Sequence, residues 1–205
     1  MREITVQQEV EMSIKICNLT TRFEEKLVLD NFSLELPDRG IFALVGESGI
    51  GKTTLLRLIA GLDKDYSGEI VSDGDFSLSM AFQEHRLFPS LTAIENVVFA
   101  VSDGKDKAVF DNARKILLSL GLTESDLLLY PEQLSGGMKQ RISVARALLY
   151  DAKILLLDEP TKELDHNNRT LLLDMIKSEG ERRLVIIATH NEDDVERLCA
   201  RIIHI

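Results

Sequence analysis

The sequence has few cysteines and no excess of positive charge. Among its 205 residues the cysteines are Cys17 and Cys199, which are far apart and lack the spacing of metal ligands. We expect both to be reduced thiols in a reducing compartment. The formal net charge of -10 argues against non-specific binding to nucleic acid, because such binding normally needs a basic face. The sequence therefore predicts no nucleic-acid partner.

Long apolar runs are also lacking. The runs at 154–157 and 184–188 are only a few residues long, whereas a membrane helix needs about 20 apolar residues. The first residues, MREITVQQEVEM, lack the apolar segment of a signal peptide. Hydrophobic and charged contents of 44% and 28% are typical of a soluble globular protein. We expect a cytoplasmic protein that works at a membrane only if another protein anchors it.

Strand and helix patterns alternate along the chain, which predicts an α/β fold. Residues 12–17 and 32–36 alternate between apolar and polar, as half-buried strands do. The run IFALV at 41–45 is typical of a strand buried on both faces of a parallel sheet. Further candidate strands lie at 78–82, 153–157, 184–188 and 201–205.

Helical spacing marks the segments between these strands. Candidate helices cover 52–60, the apolar set around 113–120, the set at 171–176 with Gly180 after it, and a short stretch that Asn191 can cap. Residues 86–150 contain no convincing strand. We predict one domain over 1–205, with a helical subdomain at approximately 86–150 inserted in the sheet.

A glycine-rich loop follows the strand at 41–45 and precedes the helix at 52–60. Its sequence, GESGIGKT, fits the phosphate-binding P-loop pattern, and its position between a buried strand and a helix is the context that this pattern requires. Backbone N–H groups at such a loop point at phosphates, and the helix dipole favours the negative charge. The loop predicts binding of a nucleoside triphosphate through Gly46, Glu47, Ser48, Gly49, Ile50, Gly51, Lys52, Thr53 and Thr54, with Thr53 also a ligand of Mg²⁺.

Two carboxylates end the apolar run at 154–157. Ligands of an open α/β sheet lie at the carboxyl ends of its strands, which is where Asp158 and Glu159 are expected. We predict that Asp158 holds Mg²⁺ and that Glu159 orients or deprotonates the attacking water.

A second candidate anion site lies in the sequence LSGGMKQR at 134–141. Ser135 can cap a helix there, and Gly136 and Gly137 carry no side chain to keep an anion away from the backbone. One chain thus has two phosphate-binding patterns.

The order of these motifs resembles that of the ATP-binding-cassette (ABC) ATPases over nearly the whole chain. The P-loop, Gln83 after a strand, LSGGMKQR, ILLLDEP and His190 after LVIIAT follow in the family's order and spacing. The resemblance implies a P-loop core with a mainly parallel sheet, a small N-terminal antiparallel β subdomain and an inserted helical subdomain. It also implies ATP as the nucleotide and Mg²⁺ as the metal.

The resemblance assigns roles to further residues. Gln83 would sense the metal and the γ-phosphate, His190 would contact the γ-phosphate, and Phe23 would stack on adenine. In the family, two copies, or one copy and a related cassette, lie head to tail, so Ser135, Gly136 and Gly137 of one subunit meet ATP held by the other. Asp165 belongs to the loop that crosses between subunits. The chain departs from the family at Lys162 and Glu163, where small residues are common.

Two functions remain open at this point. The favoured one is the ATPase subunit of a membrane transporter, similar to importers of nitrate, sulfonates and taurine, with permease subunits and a solute-binding protein as partners on the inner face of the cell membrane. The alternative is a non-transport ABC ATPase acting in nucleic-acid, translation or cofactor-assembly processes. A P-loop kinase or GTPase would lack LSGGMKQR.

Overall fold

A computed structural model describes residues 12–23, 26–47, 49–72, 76–101 and 106–205. Within them the strands are β1 (Met12–Phe23), β2 (Lys26–Pro37), β3 (Gly40–Val45), β4 (Ser67–Val71), β5 (Leu78–Ala81), β6 (Ile154–Asp158), β7 (Leu184–Thr189) and β8 (Arg201–Ile203). The helices are α1 (Lys52–Ile59), α2 (Ala93–Val98), α3 (Lys107–Ser119), α4 (Gly136–Leu149), α5 (His166–Gly180) and α6 (Glu192–Leu198), with short 3₁₀ turns at Asp126–Leu128 and Pro131–Gln133.

The central sheet is parallel and has the strand order β5-β6-β7-β3-β8. A smaller antiparallel sheet has the order β2-β1-β4. The predicted α/β fold class, with a mainly parallel core and a small antiparallel subdomain, is confirmed. The described residues within 86–150 form helices and turns and contain no strand.

The central sheet separates two apolar clusters. On β6, Leu155 and Leu157 face a cluster formed with α2 to α6, whereas Ile154 and Leu156 face a cluster formed with α1 and the antiparallel sheet. Alternate residues of a strand point to opposite faces, so burial of all five β6 residues follows from coverage of both faces. Because both faces of the sheet are covered, its strands are continuous apolar runs in the sequence.

Helix ends follow the predicted caps. Asn191 accepts a hydrogen bond from the N–H of Asp193 at 3.0 Å at the start of α6, and Ser135 accepts one from Met138 N at 3.3 Å at the start of α4. Gly180 follows the apolar set at 171–176, as predicted, and is the last residue of α5. A Cβ at Gly180 would meet the Ile41 side chain at 2.3–2.8 Å, so close packing against β3, and not helix termination, requires glycine there.

No helix in the described ranges has the length and apolar character that crossing a bilayer requires.

Candidate functional site

The carboxyl ends of β3, β6 and β7 meet at one edge of the parallel sheet and form a cavity of about 640 Å³. This is the edge at which open α/β sheets place their ligands. The residues that line the cavity come from the loop between β3 and α1, from α1 itself, from the segments that follow β5, β6 and β7, and from β2. They are Lys26, Val28, Gly49, Gly51, Lys52, Thr53, Thr54, Gln83, Glu159, Lys162 and His190.

The loop between β3 and α1 depends on Gly51. This residue has φ +122°, a backbone conformation that residues with a Cβ rarely adopt. A Cβ there would also lie 2.9 Å from Val28 Cγ1. Gly51 therefore lets the chain enter α1 beside Val28, with the first N–H groups of the helix directed at the cavity.

Lys52 is nearly buried, and its ammonium group is held by the loop that precedes it. Nζ donates hydrogen bonds to Gly46 O at 2.6 Å and to Glu47 O at 3.0 Å. These bonds position the positive charge inside the curve of the loop. Ser48 was also predicted to bind the nucleotide, but it lies outside the described residues.

Thr53 and Asp158 join α1 to the end of β6. Thr53 Oγ1 donates a 2.8 Å hydrogen bond to Asp158 Oδ2. Asp158 is 1% exposed, and its second oxygen, Oδ1, is buried and has no hydrogen-bond partner among the described residues. Burial raises the pKa of this carboxyl above its usual value, the hydrogen bond from Thr53 opposes that rise, and the nearby Glu159 charge adds to it.

Glu159 and His190 are paired at the edge of the cavity. His190 Nδ1 lies 2.8 Å from Glu159 Oε2, although the two residues follow different strands. Glu159 has φ +49°, and its N–H donates to Ala188 O at 2.8 Å. Strained backbone of this kind clusters at functional sites. The Glu159 side chain is 12% exposed and that of His190 is 67% exposed, so the pair faces open space on the histidine side.

The structure brings together part of the predicted site. Gly49, Gly51, Lys52, Thr53, Thr54, Gln83, Glu159 and His190 line the cavity, and Gly46, Glu47 and Asp158 contact residues that do. Phe23 ends β1, and its side chain lies outside the described part of the structure.

The second predicted phosphate site lies elsewhere. Ser135, Gly136 and Gly137 begin α4, and Asp165 caps α5 by accepting a hydrogen bond from Asn168 N at 2.9 Å. None of these four is among the described residues that line the cavity. The two predicted phosphate-binding patterns therefore lie at different places on the chain.

Sequence reasoning missed Lys26, Val28 and Lys162 as cavity residues. Lys26 and Val28 lie on β2, which reaches the cavity only because the antiparallel sheet packs over α1. Lys162 was noted as unusual for its loop, yet nothing in its neighbours along the chain places it at the cavity. The sequence feature that could have suggested the placement of Lys162 at the cavity is its position, four residues after Asp158.

Known proteins are similar to this chain over most of its length. Residues 29–162 match the family model described as ABC transporter. The aliphatic sulfonates import ATP-binding protein SsuB of Bacillus cereus is 38% identical over 94% of this chain and 80% of its own length. The probable sulfate/thiosulfate import ATP-binding protein CysA of Chlorella vulgaris is 37% identical over 94% of this chain and 86% of its own length.

Solved structures are also similar to this chain over most of its length. A dimeric bacterial ABC transporter cassette has a TM-score of 0.82 at 30% identity, with 94% of each chain covered. A dimeric post-hydrolysis state of the same cassette, bound to ADP and Pi, has a TM-score of 0.80 at 29% identity, again with 94% of each chain covered.

Proposed function

This chain belongs to the ABC transporter family as an ATP-binding subunit and ATPase, and we propose that two copies, arranged head to tail, hydrolyse ATP between them to drive solute import through separate membrane-spanning subunits. One observation carries the proposal. The cavity holds the P-loop and the Glu159–His190 pair, whereas the glycines of α4 lie on another surface of the same chain. In a two-fold dimer, the glycines of α4 in one copy would face the cavity of the other copy. Each ATP site would then be formed by residues of both chains.

Within one copy, the triphosphate would lie along the loop between β3 and α1. Lys52 would exchange its bonds to Gly46 O and Glu47 O for bonds to the phosphates, so its charge is already in place. Lys26 and Lys162 add two further positive charges to the same cavity. Phe23 is proposed to stack on adenine, for which only a ring face is needed.

The oxygens at the end of β6 fit Mg²⁺. Thr53 and Asp158 supply the hard oxygen ligands that this ion prefers, and the unpartnered Asp158 Oδ1 is a buried acceptor that a cation or its water would satisfy. Gln83, at the same cavity, offers an amide oxygen. The bound ion would neutralise charge on the β- and γ-phosphates.

The pair at the cavity edge would activate water. Glu159 is proposed to accept a proton from the water whose oxygen attacks the γ-phosphorus, while the bond from that phosphorus to the β–γ bridging oxygen breaks. His190, 2.8 Å from Glu159 Oε2, would hold the carboxylate in this orientation and contact the γ-phosphate. ADP and phosphate are the products.

The partner copy would complete the site with Ser135, Gly136 and Gly137, and Asp165 would lie at the crossing loop. The dimeric form of the similar cassettes supports this arrangement. The names of the relatives favour a sulfonate or a related oxyanion as the solute. We further propose permease subunits and a solute-binding protein as partners, and a place for the chain on the inner face of the membrane.

Complementation between inactive variants tests whether each site is shared. Lys52→Ala removes the P-loop charge and leaves α4 intact. Ser135→Asp keeps a good helix cap but places a carboxylate against the partner's phosphate. Each variant alone should be inactive. Their mixture should regain up to about a quarter of the wild-type ATPase rate, because random pairing makes half of the dimers mixed and each mixed dimer has one intact site of two.

The control mixture combines Lys52→Ala with Lys52→Met, which leaves no intact P-loop and should stay inactive. A mixture of Lys52→Ala with Ser135→Asp that regains no activity would show that each site is contained in one chain. That result would overturn the head-to-tail dimer.

A further inference from the structure

Glu163 packs against the glycines that begin α4 in its own chain. A Cβ added to Gly136 would overlap Glu163 Oε2, so the carboxylate lies directly against this glycine. The backbone oxygen of Glu163 lies 2.9 Å from the position that a Cβ on Gly137 would take. The loop after β6 thus covers the glycines with one residue, through both its side chain and its main chain.

The backbone around Glu163 fixes this contact. Glu163 has φ +66°, in the left-handed region that residues with a Cβ enter at some cost. Two turns hold the loop: Lys162 N donates to Glu159 O at 3.2 Å, and Leu164 N donates to Thr161 O at 3.3 Å. The direction of the Glu163 side chain is therefore set by the fold of the loop.

The charges at this end of α4 favour the contact. The N-terminus of a helix carries a partial positive charge, and the first turn of α4 contains no acidic residue of its own. Lys139 in α4 and Lys162 beside Glu163 both lie close enough to His85 to act on its pKa, as Glu163 does, so this region of the chain also carries positive charge. Glu163 supplies a negative charge where the helix end attracts one.

We propose that Glu163 masks the interaction surface for a second copy of this chain: in the free subunit its carboxylate occupies the place at Gly136 and Gly137 that the partner's γ-phosphate takes when the ATP dimer closes. The inference rests on the proposed head-to-tail dimer. Closure then requires Glu163 to leave the helix end, since two anions cannot share it. The residue weakens ATP-driven dimerisation without contacting its own nucleotide, because it is not among the described cavity residues.

The dimer dissociation constant in Mg-ATP tests this proposal. It is measured by sedimentation equilibrium in a Glu159→Gln background, which slows hydrolysis. Adding Glu163→Gln keeps the size of the side chain and removes its charge. Adding Glu181→Gln changes the net charge equally at an exposed residue at the end of α5 and serves as the matched control. We expect Glu163→Gln to lower the dimer dissociation constant by about three- to thirtyfold relative to this control, because each dimer unmasks two helix ends and each contributes the effect of an anion at a helix N-terminus.

A second measurement separates masking from an effect on the nucleotide cavity. The affinity of monomers for ATP, measured at protein concentrations too low for dimers, should be the same in both variants. A parallel change in that affinity would overturn the masking role. Equal dimer constants for the Glu163→Gln and Glu181→Gln proteins would overturn the inference and leave the dimer intact. Absence of any ATP-dependent dimer in all three proteins would overturn the proposed function and this inference together.

Discussion

Asp194 and Thr161 are joined by a 2.6 Å hydrogen bond from Thr161 Oγ1 to Asp194 Oδ2, across 33 residues of sequence. The same carboxylate accepts from Thr189 Oγ1 at 3.4 Å and from Arg169 Nε at 2.7 Å, and it is completely buried. Thr161 lies two residues after Glu159, and Thr189 immediately precedes His190. Asp194 therefore ties together the two loops that carry the Glu159–His190 pair.

Replacement of Asp194 by alanine should destabilise the protein strongly. It leaves the Thr161 hydroxyl and the Arg169 guanidinium without their buried partner, which we expect to lower the free energy of unfolding by about 2–4 kcal/mol. Urea unfolding at pH 7 measures this loss. Asp193→Ala is the control, because the Asp193 side chain is 85% exposed and lies 3.8 Å from Arg169; it should cost at most about 0.5 kcal/mol. Equal losses would contradict the assigned role of Asp194.

The Asp194 network shows what the sequence could not predict. The sequence predicted the cap by Asn191 from local rules. The partners of Asp194 lie on α5, on the loop after β6 and at the last residue of β7, and the packing of α6 against α5 brings them together. In the same way, the positive φ of Glu163 and the placement of Lys162 at the cavity depend on the path of a loop, which has no periodic signal.

Elements with a local or repeating signal were predicted well. The strands of the central sheet are continuous apolar runs because both faces of the sheet are covered. The P-loop is recognised from its residue pattern and from its position between a strand and a helix. The same holds for the start of α4 at Ser135. Tertiary packing places this helix end away from the cavity. No residue pattern predicts this placement, and it was predicted only by the resemblance to a known family.

Glu159→Gln should bind ATP and hydrolyse it at least about a hundredfold more slowly than the wild type, because the amide cannot accept the proton from water. The trapped nucleotide should hold two copies together. Size-exclusion chromatography with Mg-ATP is expected to show a dimer, and a steady-state ATPase assay gives the rate. A Glu159→Gln protein that stays monomeric with Mg-ATP would contradict either the shared site or the role of Glu159.

Lys52→Ala should lose nucleotide binding, since its ammonium group is the buried charge that the loop holds ready with bonds of 2.6 and 3.0 Å. We expect ATP affinity to fall at least about tenfold, which corresponds to the loss of one charge-assisted hydrogen bond. Titration with a fluorescent ATP analogue measures the affinity. Lys153→Ala removes an exposed lysine beside β6 and should bind normally. Undiminished ATPase activity of Lys52→Ala would show that the P-loop assignment is wrong.

Asp158→Asn should make the nucleotide-free protein more stable while it removes Mg²⁺-dependent hydrolysis. Burial raises the pKa of Asp158, so at pH 7 the ionised carboxylate opposes folding. Its unfavourable contribution is complete above the raised pKa and disappears as the pH falls through that pKa toward the value of the unfolded chain. Asparagine can still accept the hydrogen bond from Thr53 but carries no charge to desolvate.

We expect this substitution to raise the free energy of unfolding by about 1 kcal/mol in EDTA at pH 7, measured by urea unfolding. Asp30→Asn, at an exposed position on β2, should change it by less than about 0.5 kcal/mol. If Asp158→Asn raises the free energy of unfolding and abolishes hydrolysis, the ionised Asp158 serves to bind the metal although it destabilises the fold. A loss of stability would mean instead that other groups compensate the charge of Asp158 in the nucleotide-free protein. The assignment of Asp158 Oδ1 as a metal ligand would then lose its support.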